Sequence, residues 1–261
     1  AVLAFAVGVA TGNAPLAVIS GAVGGMVMAL IFGILTLNLL ANQVAAGLAL
    51  TIFGLGFSSL LGYGFVGKTF PGLPKLEVPF ISDIPFMGPL LFNHDILVYA
   101  SVFFVMGTTY TLNRTRLGLL IRAVGENHEA AHSIGYSVNT IRMACVLFGG
   151  AMAGLGGAYL SLAYTPLWVE GMTAGRGWIA LALVVFASWR AWRAFFGSYL
   201  FGGITIIQLH AQGFGVEIAP QFLSMLPYLA TIVVLVLISR DSSRAKLNAP
   251  ACLGRNFHAS G

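Results

Sequence analysis

The chain has 261 residues, of which 58% are hydrophobic and only 8% charged, with a formal net charge of +5. Its mean hydropathy is +0.90. A soluble domain carries roughly 25% charged residues, so this chain cannot cover a water-facing surface and reads as an integral membrane protein. Apolar runs of about 17–25 residues are long enough to span a bilayer as helices. Residues 1–10 are a shorter run, closed by Asn13 and Pro15, and look like the tail of a helix. Residue 1 already lies inside that run, so the chain is expected to lack its true start. Longer runs follow at about 16–37 and 43–61, then a polar, Pro-rich segment at 62–93. Further helices are predicted at about 95–112 and 142–164, a short one at 178–189, and two more at 195–212 and 221–239. The expectation is an all-α, polytopic bundle of about seven to eight spanning helices. It divides into a transmembrane domain at 1–239 and a cytoplasmic tail at 240–261.

The basic residues orient the bundle. With the loop 114–142 in the cytoplasm, Arg114, Arg116, Arg122, Arg142, Arg190, Arg193, Arg240, Arg244, Lys246 and Arg255 all fall inside. Only Lys68, Lys75 and Arg176 fall outside. This asymmetry is that of the positive-inside rule. A basic excess points to nucleic acid only where cations cluster with aromatics on one face. Here they sit at helix ends, so membrane lipid is the expected partner and nucleic acid is not. Cys145 lies in an apolar run and Cys252 in the tail. Neither a disulfide between them nor a metal-ligand spacing is indicated. No Ser/His/Asp set and no carboxylate pair argues for covalent chemistry, so no enzyme activity and no catalytic residue is assigned.

Small residues mark where helices meet. Gly21, Gly25, Ala29 and Gly33 recur every four positions, and Gly150 and Gly154 form a GxxxG with Gly157 nearby. Such ridges let backbones approach closely in lipid. Static packing is the favoured reading, and a moving interface is the alternative. The eight residues from Gly62 to Thr69 match the phosphate-loop pattern letter for letter. That loop needs a strand before it and a helix after it. A membrane helix precedes it here, and Pro71 and Pro74 follow. The match is read as chance in a Gly-rich loop.

The polar loop 114–142 holds a short predicted helix at 128–134. Asn127 is a good N-cap, and Glu129 in the first turn suits the positive end of the helix dipole. Gly135 is a natural stop. Ala130, Ala131 and Ile134 supply a small apolar face. Two turns are marginal alone in water, so the helix makes sense if it docks against something. From these residues alone, a plain loop remains an equal alternative. Residues 170–178 carry three glycines and Arg176 at the outer rim. Irregular backbone of this kind lines binding sites in transporters. An ordinary outer loop with Arg176 paired to Glu170 is the other reading. Gln208 and Gln212 share a helix face with His210 between them, and a polar residue inside a membrane is a functional candidate. Trp168, Trp178, Trp189 and Trp192 read first as interfacial anchors.

Arg122 to Asn127, then Glu129-Ala130-Ala131 and Gly135, resemble the E-A-A-x-x-x-G cytoplasmic loop of ABC importer permeases. The wider context resembles the branch serving ribose, branched-chain amino acids and nucleosides. Within it, residues 174–182, residues 43–50, and Asn248-Ala249-Pro250-Ala251 with Leu253-Gly254 look most like the nucleoside and simple-sugar permeases. Two features depart from that pattern. His128 stands where the family usually has Pro, and an Asn-Ile-Gly-type segment expected upstream is absent.

The resemblance implies a multi-pass permease subunit in the bacterial inner (plasma) membrane that forms the pathway for nucleosides or related small solutes. The loop would be a coupling helix that docks on a separate ABC ATPase, with Glu126, Glu129, Ala130, Ala131 and Gly135 as its coupling residues. ATP and Mg would be bound by that partner, and no cofactor by this chain. A second permease subunit (a paralogue in many nucleoside systems) and an extracytoplasmic substrate-binding protein would complete the importer. Gly175, Arg176, Gly177, Trp178 and Gln208 are the candidate pathway residues. An ion-coupled secondary transporter or channel is the alternative. It would need a buried ionisable site at mid-membrane, whereas every Asp and Glu lies in a loop or at a helix end. The topology is checked by single cysteines at Ser82 and Ser137. An impermeant reagent should label them from opposite sides, and same-side labelling would refute the helix count.

Overall fold

The structure, a computed structural model, describes residues 1–77, 93–173, 175–213 and 249–257, with Phe222, Met225, Leu229, Ile232 and Val236. Its helices follow the apolar runs, and capping chemistry sets their ends. Helix α1 (Val2–Thr11) stops at Gly12, which is left-handed (φ 67°). Asn13 accepts a hydrogen bond from the Leu16 N–H and starts α2 (Ala14–Gly33), with Pro15 in the first turn. This is the N-terminal arrangement that Asn and Pro favour. A π-helical turn, Ile34–Asn38, prolongs α2. Leu40 then adopts a left-handed backbone (φ 55°). Asn42 caps α3 (Gln43–Gly62) by accepting from the N–H groups of Val44 and Ala45. Two three-residue strands, β1 (Lys75–Glu77) and β2 (Asn93–Asp95), pair antiparallel with Lys75 opposite Asp95. Helix α4 (Ile96–Arg114) follows.

The basic loop contains two helices, α5 (Arg116–Glu126) and α6 (His128–Ser133). Helix α7 (Val138–Tyr159) crosses back and ends in a second π-helical turn, Leu160–Tyr164. Helix α8 (Arg176–Phe186) is short, and α9 (Ala191–Gly213) runs for 23 residues. Among the described residues the bundle is all-α apart from this strand pair.

Four helices among the described residues are long and apolar enough to cross a membrane: Ala14–Asn38, Gln43–Phe65, Ile96–Arg114 and Val138–Tyr164. The expected seven to eight are not reached there. Helices α1 and α8 have 10 and 11 residues. At 1.5 Å per residue each rises only about 15–17 Å, near half a hydrocarbon core. Helix α8 also ends earlier than expected, because Ser188 and Trp189 are both left-handed (φ 49° and 57°). Of the helix expected at 221–239, Phe222, Met225, Leu229, Ile232 and Val236 are helical and exposed. The rest of that span lies outside the described residues, as do Arg240, Arg244 and Lys246.

Helices α2 and α7 form the most extensive helix–helix contact. The two small-residue ridges face each other there. A Cβ on Gly25 would strike the Gly150 carbonyl, and one on Gly154 would strike the Gly21 carbonyl. A Cβ on Gly21 would come within 2.8 Å of the Ala158 Cβ. Only hydrogen at these positions permits this backbone separation.

The end of the bundle away from the basic loop has its own core. Phe5, Ala17, Phe70, Leu73, Ala158, Leu162 and Trp168 are buried together. Trp168 is therefore an interior residue and not the anchor expected of it. Its ring lies where a Cβ on Gly62 would stand. Residues 62–69 form no phosphate loop, since a 3-10 turn, Tyr63–Phe65, follows Gly62 and residues 70–77 hold no helix. Instead Thr69 bridges to Leu167, and the Phe70 N–H donates to the Pro166 carbonyl at 3.0 Å.

Replacing Gly25 by Val should separate α2 from α7, at a cost of about 1–3 kcal/mol or more. Gly56→Val is the control, because its added Cβ meets nothing within 4 Å. Thermal unfolding in detergent should show a clear fall for the first variant and little change for the second.

Candidate coupling site

Helix α6 forms for the reasons its sequence indicates. The Asn127 side chain accepts from the Ala130 N–H at 3.0 Å. Glu129 stands in the first turn and His132 in the last, each suited to its end of the dipole. At the far end Gly135 is left-handed (φ 95°). Its N–H donates to the His132 carbonyl at 2.8 Å, and the Tyr136 N–H to the Ala131 carbonyl at 3.1 Å. Those two bonds make a Schellman stop, which satisfies two terminal carbonyls. The helix ends at Ser133, with Ile134 as its C-cap, a residue earlier than expected.

Burial divides α6 into two faces. His128 and Ala131 are buried, with Val124 of α5, Val138 of α7 and Phe257 beside them. Glu129, Ala130, Ser133, Ile134 and Tyr136 are exposed, Ile134 to 74%. Ala131, expected on the docking face with Ala130, thus points into the protein. Ile134 and Tyr136 are the large apolar residues that point out.

Sequence reasoning missed two parts of this site. One is α5, capped by the Thr115 hydroxyl, which accepts from the Gly118 N–H at 3.1 Å. Its signal was legible, since Leu117, Leu120, Ile121 and Val124 follow helical spacing. Gly118 is required there, because a Cβ would strike the Thr111 carbonyl of α4. The other part is the segment 249–257, which lies against α5 and α6. The Cys252 N–H donates to the Gly125 carbonyl at 2.9 Å, and its thiol donates to the Glu126 carbonyl at 3.3 Å. The Glu126 contact with Cys252 is made by its backbone carbonyl, and its side chain is exposed. The Phe257 ring meets His128 and His132 edge-on, with centroids 5.8 and 5.4 Å away. A lone Phe in a polar tail carries no local pattern that reveals such a contact.

The second candidate site is at the opposite end. Gly175 is left-handed (φ 77°) and precedes α8, so Arg176, Gly177 and Trp178 open that helix. The Arg176 guanidinium lies over the Tyr164 ring at 5.4 Å. Glu170 accepts from the Ser59 hydroxyl at 2.7 Å, so it holds the loop to α3. The Arg176–Glu170 pair weighed from sequence is not the arrangement found. Trp178 is 66% exposed. Gln208 lies on α9, and its side chain is outside the described residues. His210 turns back to the Ile206 carbonyl of its own helix.

A family model described as branched-chain amino acid transport system, permease component, matches residues 1–238. The chain belongs to this permease family. An ABC transporter permease of Haloferax volcanii, whose name carries a provisional glucose assignment, is 36% identical over 97% of this chain and 84% of its own. A nucleoside ABC transporter permease of Lactococcus lactis is 31% identical over 93% of this chain and 77% of its own. A guanosine ABC transporter permease of Bacillus subtilis is 28% identical over 84% and 72% respectively. No solved structure matches the chain. The protein is a permease subunit of an ABC importer and a multi-pass integral membrane protein. Permeases of this family act with an ATPase and a substrate-binding partner.

In the permease, burial holds the His128 imidazole below its ordinary pKa, and the charges of Arg142 and Arg255 add to this. His128 is therefore neutral where it packs on Phe257. A base with a lowered folded pKa contributes stability above its unfolded value, about 6.5, and that stability is lost as pH falls below it. Amide exchange protection at residues 252–257 should hold at pH 7.5 and fall as the pH drops below about 6.5. His128→Gln should flatten that dependence.

Proposed function

We propose that this permease imports nucleosides or closely related small solutes, and that a separate ATPase docks on the outer face of α6. The observation that carries the docking reading is the two-faced α6. Its inner side is held by the permease's own residues, and its outer side offers Ile134 and Tyr136 on a polar loop. A hydrophobic side chain that exposed at the end of a capped helix suits a groove contact. Glu129 and Ala130 flank it. Gly135 sets the chain's exit, and Ala131 and the Glu126 carbonyl hold the helix from behind. ATP and Mg belong to the ATPase in this reading, and the permease performs no chemistry of its own. A second permease subunit, a paralogue, would complete the pathway, and an extracytoplasmic binding protein would deliver solute.

The ion-coupled alternative finds no support. Among the described residues the buried polar groups are Thr36, His128, Ser161 and Ser188, with no Asp or Glu. The nucleoside reading is supported by the names of the Lactococcus and Bacillus relatives. It also suits the exposed Trp178 ring beside Arg176, since an indole can stack on a base. A simple sugar is the second reading, favoured by the Haloferax relative.

Two experiments test these readings. Ile134→Arg should reduce both ATPase co-purification and uptake by about tenfold or more, a loss typical of a buried hot-spot residue. Retention of both would remove α6 from the interface. In proteoliposomes the wild type should take up guanosine in preference to glucose, and Trp178→Ala should impair uptake with the ATPase still bound. Preferential glucose uptake would decide for the sugar. Unimpaired guanosine uptake in Trp178→Ala would make Trp178 a lipid-facing residue.

A further inference from the structure

We propose that residues 250–257 form a strap that carries movement of α6 to the turn between α2 and α3, with Phe257 and Asn256 as positioning residues. The proposal rests on the docking reading above only in taking α6 as the element the ATPase moves.

The strap grips three elements. At its start, Pro250 packs on Gly125, whose added Cβ would lie 3.4 Å from the proline ring. Cys252 satisfies the Gly125 and Glu126 carbonyls, which belong to the last turn of α5 and have no partner within that helix. In the middle, the Arg142 guanidinium of α7 donates to the Arg255 carbonyl at 3.0 Å. At its end, Phe257 is buried against Ala131, Val124 and Val138, between the two histidines of α6.

Asn256, next to it, points the other way. Its Nδ2 donates to the Leu40 carbonyl at 3.3 Å, and its Oδ1 accepts from Gln43 Nε2 at 3.1 Å. One side-chain amide thus joins the last residues after α2 to the first residue of α3. Leu40 is left-handed, a conformation that residues with a Cβ disfavour. It also follows a π-helical turn, an irregularity that recurs at functional positions in helices. The Ala41 N–H donates to the Leu35 carbonyl across this turn at 2.9 Å, and the Asn256 amide adds a second hold on a backbone that residues with a Cβ disfavour.

Helix α6 itself packs on α5 and α7. The adjacent pair Asn256–Phe257 joins it to the α2–α3 turn. Because α2 and α7 are locked backbone to backbone, displacement at that turn moves the central pair of the bundle. Two turns of helix become a lever through a buried ring on one residue and an amide on the next.

The test uses the complete importer (permease, ATPase and binding protein) in proteoliposomes. Asn256→Ala and Phe257→Ala should keep the ATPase bound and hydrolysing, while solute imported per ATP falls about fivefold or more, within the range of measured coupling mutations. Phe257→Tyr, which keeps the ring, should restore most of it. Asn256 is exposed, so its variant decides the matter if Phe257→Ala fails to accumulate. Unchanged import per ATP in Asn256→Ala overturns the proposal. Loss of ATPase binding in step with import also overturns it, because the strap then only keeps α6 folded. Failure of the docking reading shows separately, as Ile134→Arg retaining its ATPase.

Discussion

Helices α2 and α7 approach each other most closely at glycines. The Gly25 and Gly150 backbones, and those of Gly21 and Gly154, stand closer than any Cβ would allow. In lipid this contact cannot draw on the hydrophobic effect, because acyl chains are as apolar as leucine. It draws on dispersion between well-fitted surfaces, which fades within an ångström of separation. Everything else is placed from that pair. Helix α1 packs along α2, and Phe5 and Leu162 fill the space beside them. The basic loop leads into one end of α7, and the strap reaches the α2–α3 turn at that same end.

The two ends of the bundle are held by different physics. The end with Trp168 is an aromatic and aliphatic core that excludes its surroundings. The end with α6 is built as small water-soluble motifs are built. Caps, a left-handed glycine, backbone hydrogen bonds and one buried ring hold it, and few apolar contacts do. Free energies of local opening are lowest where buried apolar contact is sparse. A loop that followed a partner's motion, as the docking proposal has it for α6, would suit this second construction, with a few fixed points to return it to register.

How much of this was legible from sequence depended on range. Asn127 and Gly135 act through neighbours within four residues, so composition and spacing reveal their roles. The ridges on α2 and α7 are also visible, because their period is that of one helix face. The partner of each ridge is not, since Gly25 and Gly150 are 125 positions apart. Ala131 shows the same limit. Its helical position is legible, but which side faces inward depends on Phe257. Helix α5 is a different case, because its apolar pattern is local but is interrupted by Arg116 and Arg122. Helix lengths failed for a third reason. Hydropathy continues through Trp189, yet two left-handed residues end α8 before it.

Irregular backbone connects these observations to transport. Among the described residues, left-handed non-glycine positions occur at Leu40, Ser188 and Trp189, and π-helical turns close α2 and α7. Each lies where a helix ends. Such conformations persist only when surrounding contacts over-determine them. For Leu40 those contacts are visible, since the Asn256 amide binds its carbonyl and Gln43 binds the same amide. The turn has its own backbone bond, from the Ala41 N–H to the Leu35 carbonyl at 2.9 Å, and the two exposed side-chain bonds of Asn256 add to it. In the strap proposal the displacement starts at α6 and reaches this turn through Asn256, and the close-packed α2–α7 pair would carry it into the bundle.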